Sequence, residues 1–135
     1  MAGFTPNEGE TVIAEMIHER ISADRDADLD LGLFTDATPD ETITEATISE
    51  PTDGSYARIT LTDATWGITG AVADYAQQTF TCSGSDYVGA VYGYFIATKS
   101  AGGTQRLLYV EIDGSGPYDI NDGDTYKITP NITIG

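Results

Sequence analysis

Val88-Gly89-Ala90-Val91-Tyr92-Gly93-Tyr94-Phe95-Ile96-Ala97-Thr98 is the stretch of this chain richest in aromatic residues, and its alternation governs how the rest is read. A period of two sets Tyr92, Tyr94 and Ile96 on one face of a strand and Val91, Phe95 and Ala97 on the other. Both faces are partly apolar. That is more than a lone two-layer monomer needs, and it points to burial against another subunit.

The same period extends outward in both directions. Downstream, Lys99 to Thr104 with Gly102-Gly103 reads as a hairpin loop into a strand over Arg106 to Ile112. Turns follow at Asp113-Gly114-Ser115-Gly116-Pro117 and at Asp119 to Asp124. A last strand runs from about Thr125 to Ile134 and is interrupted or bent at Pro130. Upstream, strands are expected at Tyr75 to Cys82, at Tyr56 to Thr62 after the turn Pro51-Thr52-Asp53-Gly54, and at Leu29, Leu31 and Leu33. Ile43 and Ile48 suggest a short edge strand. Seven or eight strands with short connections favour an antiparallel β-sandwich of jelly-roll type over any βαβ arrangement.

The N-terminus carries the one helical pattern. Thr5-Pro6-Asn7-Glu8 reads as a capping box, with Thr5 as N-cap, Pro6 at the first helical position and Glu8 reaching back to the cap amide. Val12, Ile13, Met16, Ile17 and Ile21 then recur at spacings of three and four, so the helix is expected from Pro6 to about Ile21. Residues 1–22 form a helical arm in this reading, and 23–135 the β-sandwich body.

Composition limits the function. The chain has 135 residues, 22 Asp plus Glu against 6 Lys plus Arg, one His and one Cys, for a formal net charge of −16. One domain fits this length, and a hydrophobic content of 40% is too high for a disordered acidic tail. The negative field disfavours nucleic acid and anionic membranes as partners. Cys82 has no disulfide partner. The start of the chain lacks a basic signal region, and no apolar run approaches the ~18 residues of a membrane span.

Catalytic and metal patterns are weak. Asp24, Asp26, Asp28 and Asp30 alternate like the opening of a calcium loop, yet the required glycine and glutamate positions hold Leu29 and Thr35. Asp113, Asn121, Asp122 and Asp124 could hold calcium with backbone carbonyls, but the preference of Asp and Asn for turns explains them better. His18 has no second histidine for zinc and no G-x-S-x-G elbow to serve. The glycines around Gly84 to Gly93 and at Gly102-Gly103 lack the helix and lysine of a phosphate loop. Paired carboxylates such as Glu111 and Asp113 arise by chance among so many acids. No catalytic residue, metal ligand or cofactor is assigned, and an enzyme is not expected. The tyrosines, with Trp66, remain as anchors for an interface or for sugars.

The segments Gly93-Tyr94-Phe95-Ile96-Ala97-Thr98, Leu107-Leu108-Tyr109-Val110-Glu111, Pro117-Tyr118-Asp119-Ile120 and Ile128-Thr129-Pro130-Asn131-Ile132-Thr133-Ile134 resemble small virion proteins of tailed bacteriophages. Thr5-Pro6-Asn7-Glu8-Gly9-Glu10 and Leu31-Gly32-Leu33-Phe34-Thr35 are similar to the same group. The resemblance implies a capsid cement or decoration protein: a β-rich homo-oligomer, with a trimer favoured, outside the shell and bound to the major capsid protein. It would be assembled in the host cytoplasm and located on the capsid exterior of the virion. Phe4, Val12, Ile13, Met16 and Ile17 on the arm, with Tyr92 and Tyr94 on the aromatic strand, are the expected capsid and subunit contacts. The alternative is a tail-fibre or receptor-binding module that recognises host surface glycans.

Overall fold

In the computed structural model, residues 2–11, 28–62, 66–98 and 105–133 are described, and the aromatic stretch lies at the centre. Numbering the strands along the chain, β7 (Gly93–Thr98) is the middle strand of an antiparallel sheet of order β1-β8-β7-β2-β3. It pairs with β2 (Leu29–Phe34) from Leu29↔Thr98 to Phe34↔Gly93, and with β8 (Leu107–Ile112) on its other side. The outer strands are β1 (Ala2–Phe4), on β8, and β3 (Ile59–Leu61), on β2.

Both faces of this sheet are buried within the one chain. Leu31, Leu33, Tyr94, Ile96 and Tyr109 belong to one core cluster; Phe34, Phe95, Ala97, Leu107 and Val110 belong to a second. The two-sided apolar pattern is thus satisfied intramolecularly, so it does not by itself call for another subunit. Gly32 is required here because the Phe95 ring lies where its side chain would stand, with Cε1 2.6 Å from an added Cβ. A register shift between Ile96 and Ala97 adds one residue to β8. It places Leu107 in the cluster of Val110, although strict alternation pairs Leu107 with Tyr109.

Two smaller antiparallel sheets contribute to the first cluster. One has the order β10-β5-β4, from β4 (Gly67–Thr69), β5 (Val72–Asp74) and β10 (Asn131–Thr133); the other pairs β6 (Gln78–Thr81) with β9 (Thr125–Ile128). Phe80, Ile128 and Ile132 come from these strands, and Tyr87, Val91 and Ile120 from the connections. Pro130 stands where the last strand breaks into β9 and β10, as its missing N–H predicts.

The second face is covered by residues 35–50, which form turns. Ile43 and Ile48 do reach the core, but the expected edge strand does not form. Their amides bond locally, Ile43 N–H to Asp40 O and Ile48 N–H to Thr44 O. Asp40 and Thr47 side chains also accept the Thr42 and Thr44 amides, which competes with strand pairing.

The protein is mainly β with antiparallel sheets, as expected, in three small separate sheets. Ten strands occur among the described residues, against seven or eight expected. The additions are β1, the β4–β5 hairpin and the division at Pro130. Helix is described over 7–11 only; the rest of the expected helix, 12–21, lies outside the described residues.

Gly32→Ala should destabilise the fold by about 1–3 kcal/mol, because Phe95 must shift within a packed core. Gly114→Ala, with nothing within 4 Å of the added Cβ, should change the urea midpoint little.

Candidate functional site

The N-terminal segment docks onto the body. Ala2, Gly3 and Phe4 pair with Ile112, Glu111 and Val110, and Phe4 packs against the second core cluster. Pro6 is fully buried, and its carbonyl accepts the first helical bond, from Glu10 N–H. The expected capping box is not formed in this way. The Glu8 carboxylate turns to the body, where Oε2 accepts the amides of Glu45 at 2.9 Å and Leu107 at 2.8 Å. Each amide lies in an irregular segment or at a strand start, and a carboxylate is a strong acceptor for both.

A second polar centre fastens residues 35–50 to the sheet. β3 stops pairing at Ile59↔Leu31, so the Leu33 N–H on the same side of β2 has no strand partner. Tyr56 Oη accepts that hydrogen bond at 2.9 Å and donates to Glu50 Oε1 at 2.7 Å. Arg58 completes the group: Nε and Nη2 grip the two Glu50 oxygens at 3.0 and 2.8 Å, and Nη2 also reaches Glu45 Oε1 at 2.8 Å. Its guanidinium carbon lies 5.0 Å from the centroid of the Phe95 ring. Burial and then the Glu50 hydrogen bond hold the Tyr56 phenol far above its ordinary pKa. From sequence Glu8 reads only as a helix cap, and Arg58 has no assigned role. The available signal was scarcity, since Arg58 is one of six cations in the whole chain.

The expected contact residues separate into groups. Phe4 is half-buried between β8 and the second cluster. Tyr94 is 1% exposed, with its hydroxyl engaged by the Asn131 backbone, so it has no surface to offer a partner in this fold. Tyr92 is half-buried and packs against the second cluster, whereas Tyr94 belongs to the first. The two tyrosines are not brought together. Val12, Ile13, Met16 and Ile17 lie outside the described residues, as does His18.

The carboxylates near the C-terminal turns accept hydrogen bonds from the turns themselves. Asp122 Oδ1 accepts Gly84 N–H, Asp86 Oδ1 accepts Asp122 N–H, and Asp124 Oδ2 accepts Asn121 N–H. Asp113 accepts Ser115 N–H and the Tyr126 hydroxyl. Among the described residues no group of three or more His, Cys, Asp and Glu is arranged to hold a metal. Burial pushes the Cys82 thiol up, and its Sγ lies 3.0 Å from Ser85 O. A depression of about 420 Å³ over residues 36–47 contains Asp36 and Asp40. Asp40 is occupied with the Thr42 hydroxyl and amide, which lower its pKa. Val88, 59% exposed, is the one large apolar side chain that stands out in solvent among those described. No described helix is long and apolar enough to cross a membrane.

Removing Arg58 should leave two partly buried carboxylates without a cation. Arg58→Ala should cost about 2–4 kcal/mol in chemical denaturation, with Arg58→Lys recovering only part, because lysine cannot hold Glu50 bidentately. Alkaline stability follows from the buried tyrosines. Burial raises the pKa of Tyr56, Tyr94 and Tyr126, and pushes Tyr109 up to about 12. The folded state therefore retains protons that the unfolded chain releases above about pH 10, so these groups leave stability flat below that pH and lower it above. Tyrosinate absorbance should rise together with loss of the circular-dichroism signal; full titration of all eight tyrosines in a folded protein would contradict this.

No family model, curated protein or solved structure matches the chain.

Proposed function

We propose that this chain is a non-enzymatic virion structural protein of a tailed bacteriophage. It binds the outer capsid surface as a cement or decoration protein, bridging copies of the major capsid protein. In this reading the three sheets form a sandwich-like body that is displayed on the shell as a homo-oligomer, with a trimer favoured.

The observation that carries this reading is where apolar surface is available. The described body encloses its apolar side chains in two clusters and leaves only Val88 strongly exposed among them. The sequence places a further apolar stripe, Val12, Ile13, Met16 and Ile17, directly after the docked N-terminal segment. That stripe is the capsid-binding element of the proposal, and the acidic body is a solvent-facing skin suited to basic ground on the shell. Bridging stabilises the particle by mass action, because only the assembled lattice offers the complete site.

One observation favours the tail-fibre alternative. Tyr118 and Tyr126 form a half-buried ring pair with centroids 5.5 Å apart, and Asp113 accepts the Tyr126 hydroxyl, the kind of aromatic and carboxylate grouping that holds sugars.

Co-sedimentation with capsids of the source phage separates the two. Met16→Glu with Ile17→Glu should reduce capsid binding at least tenfold while the thermal unfolding of the body stays unchanged. Failure of the unaltered chain to sediment with capsids would overturn the cement reading, retained binding by the double variant would remove the stripe as its contact, and glycan binding lost on Tyr118→Ala would install the alternative.

A further inference from the structure

The cover over the second core cluster is a loop closed on itself. Thr35 N–H donates to Ser49 O at 2.8 Å, and Asp36 Oδ2 accepts the Ser49 amide at 2.8 Å, so the ends of residues 35–50 are joined. Inside the loop, Ile43 N–H bonds Asp40 O and Ile48 N–H bonds Thr44 O. A loop tied in this way can leave the sheet as one body without breaking its own bonds. Its contribution to the buried cluster is Ile43 and Ile48.

The loop meets the N-terminal segment along a seam of like charge. It carries Asp36, Asp40, Glu41, Glu45 and Glu50, and the segment beside it carries Glu8 and Glu10. The approach is close, since Asn7 N–H donates to Glu41 O at 2.9 Å and the Glu8 carboxylate takes the Glu45 amide at 2.9 Å. The cations among the described residues are Arg58, Arg106 and Lys127, and Lys127 lies in β9 of another sheet. Arg58 is held by Glu45 and Glu50. Glu10, Asp40 and Glu41 stand exposed without an ion pair among the described residues.

We propose that residues 35–50 are a clasp whose closure depends on ionic strength. In dilute salt the clasp opens as a unit and uncovers Phe34, Phe95 and Val110, while β2 and β7 stay paired. Charges act over roughly 30 Å at 0.01 M salt and roughly 3 Å at 1 M, so the repulsion among the seam carboxylates is felt in the first case and removed in the second. The bonds of Arg58 to Glu45 and Glu50 are direct contacts between partly buried groups, which salt weakens much less. Salt therefore relieves the repulsion and leaves the fastening in place.

Amide hydrogen exchange of the full chain in about 0.01 M and about 1 M KCl tests this, with protection taken relative to the unfolded chain at the same salt. Protection of the Thr35, Glu45 and Ile48 amides should fall roughly tenfold or more in dilute salt, while that of β2 and β7 holds. Glu10→Gln with Glu41→Gln removes two seam charges whose side chains make no hydrogen bond among the described residues, and should restore most of the protection. Asp53→Asn with Asp119→Asn removes the same charge from exposed turns outside the seam and should restore little. Three results overturn the proposal: protection over 35–50 that salt does not change, a loss shared equally by β2 and β7, or equal rescue by the two double variants.

Discussion

The central strands β2 and β7 are buried on both faces, and the rest of the structure depends on covering them twice. One side is met by ordinary means, since Phe80, Ile128 and Ile132 arrive from short strands, with Tyr87, Val91 and Ile120 from their connections. The other side is harder. Phe34, Phe95, Leu107 and Val110 together represent roughly 8 kcal/mol of burial, a large part of what a domain of this size has as net stability. Their cover from residues 35–50 contributes only Ile43 and Ile48 to the buried cluster. A segment with so little apolar grip must be fastened by polar contacts. Arg58, held by Glu45 and Glu50, and Glu8, holding the amides of Glu45 and Leu107, provide that fastening.

The acidity has an internal use as well as an external one. Glu8, Asp36, Asp40, Asp86, Asp122 and Asp124 all accept backbone amides in irregular segments. A chain with many short strands has many amides outside its ladders, and carboxylates serve them with charge-assisted bonds. Part of the net charge of −16 thus follows from the loop-rich architecture and needs no partner to explain it. What remains outward is a skin suited to solvent and to basic surfaces. The proposed capsid role draws on that skin and on the stripe at Val12 to Ile17, while the body itself is self-sufficient.

Much of the fold was legible because its causes are local. The alternation of Leu29, Leu31 and Leu33, the strand over 107–112 and the break at Pro130 come from side-chain period and from a missing N–H. Other features were not. Ala2-Gly3-Phe4 is too short to show a period, so β1 was read as part of the helical arm of residues 1–22. Glu8 was read as a cap because Thr5-Pro6-Asn7-Glu8 matches one, yet its partners lie in residues 45 and 107. The Ile43 and Ile48 segment was read as strand, though its Asp and Thr side chains bond the local backbone. The extra residue in β8 shifts the phase of Leu107, and no local pattern records it.

The sequence by itself determined which side chains seek burial, the antiparallel β character and the acidic balance, because these depend on residue type and spacing. Only the tertiary structure decided where the burial is found. Val91 to Thr98 is apolar on both faces whether its cover is a neighbouring subunit or the chain's own residues 35–50. The pattern is identical in the two cases. Long-range hydrogen bonds from Arg58, Tyr56 and Glu8 bring the second cover into place, and bonds of that kind leave no period along the chain.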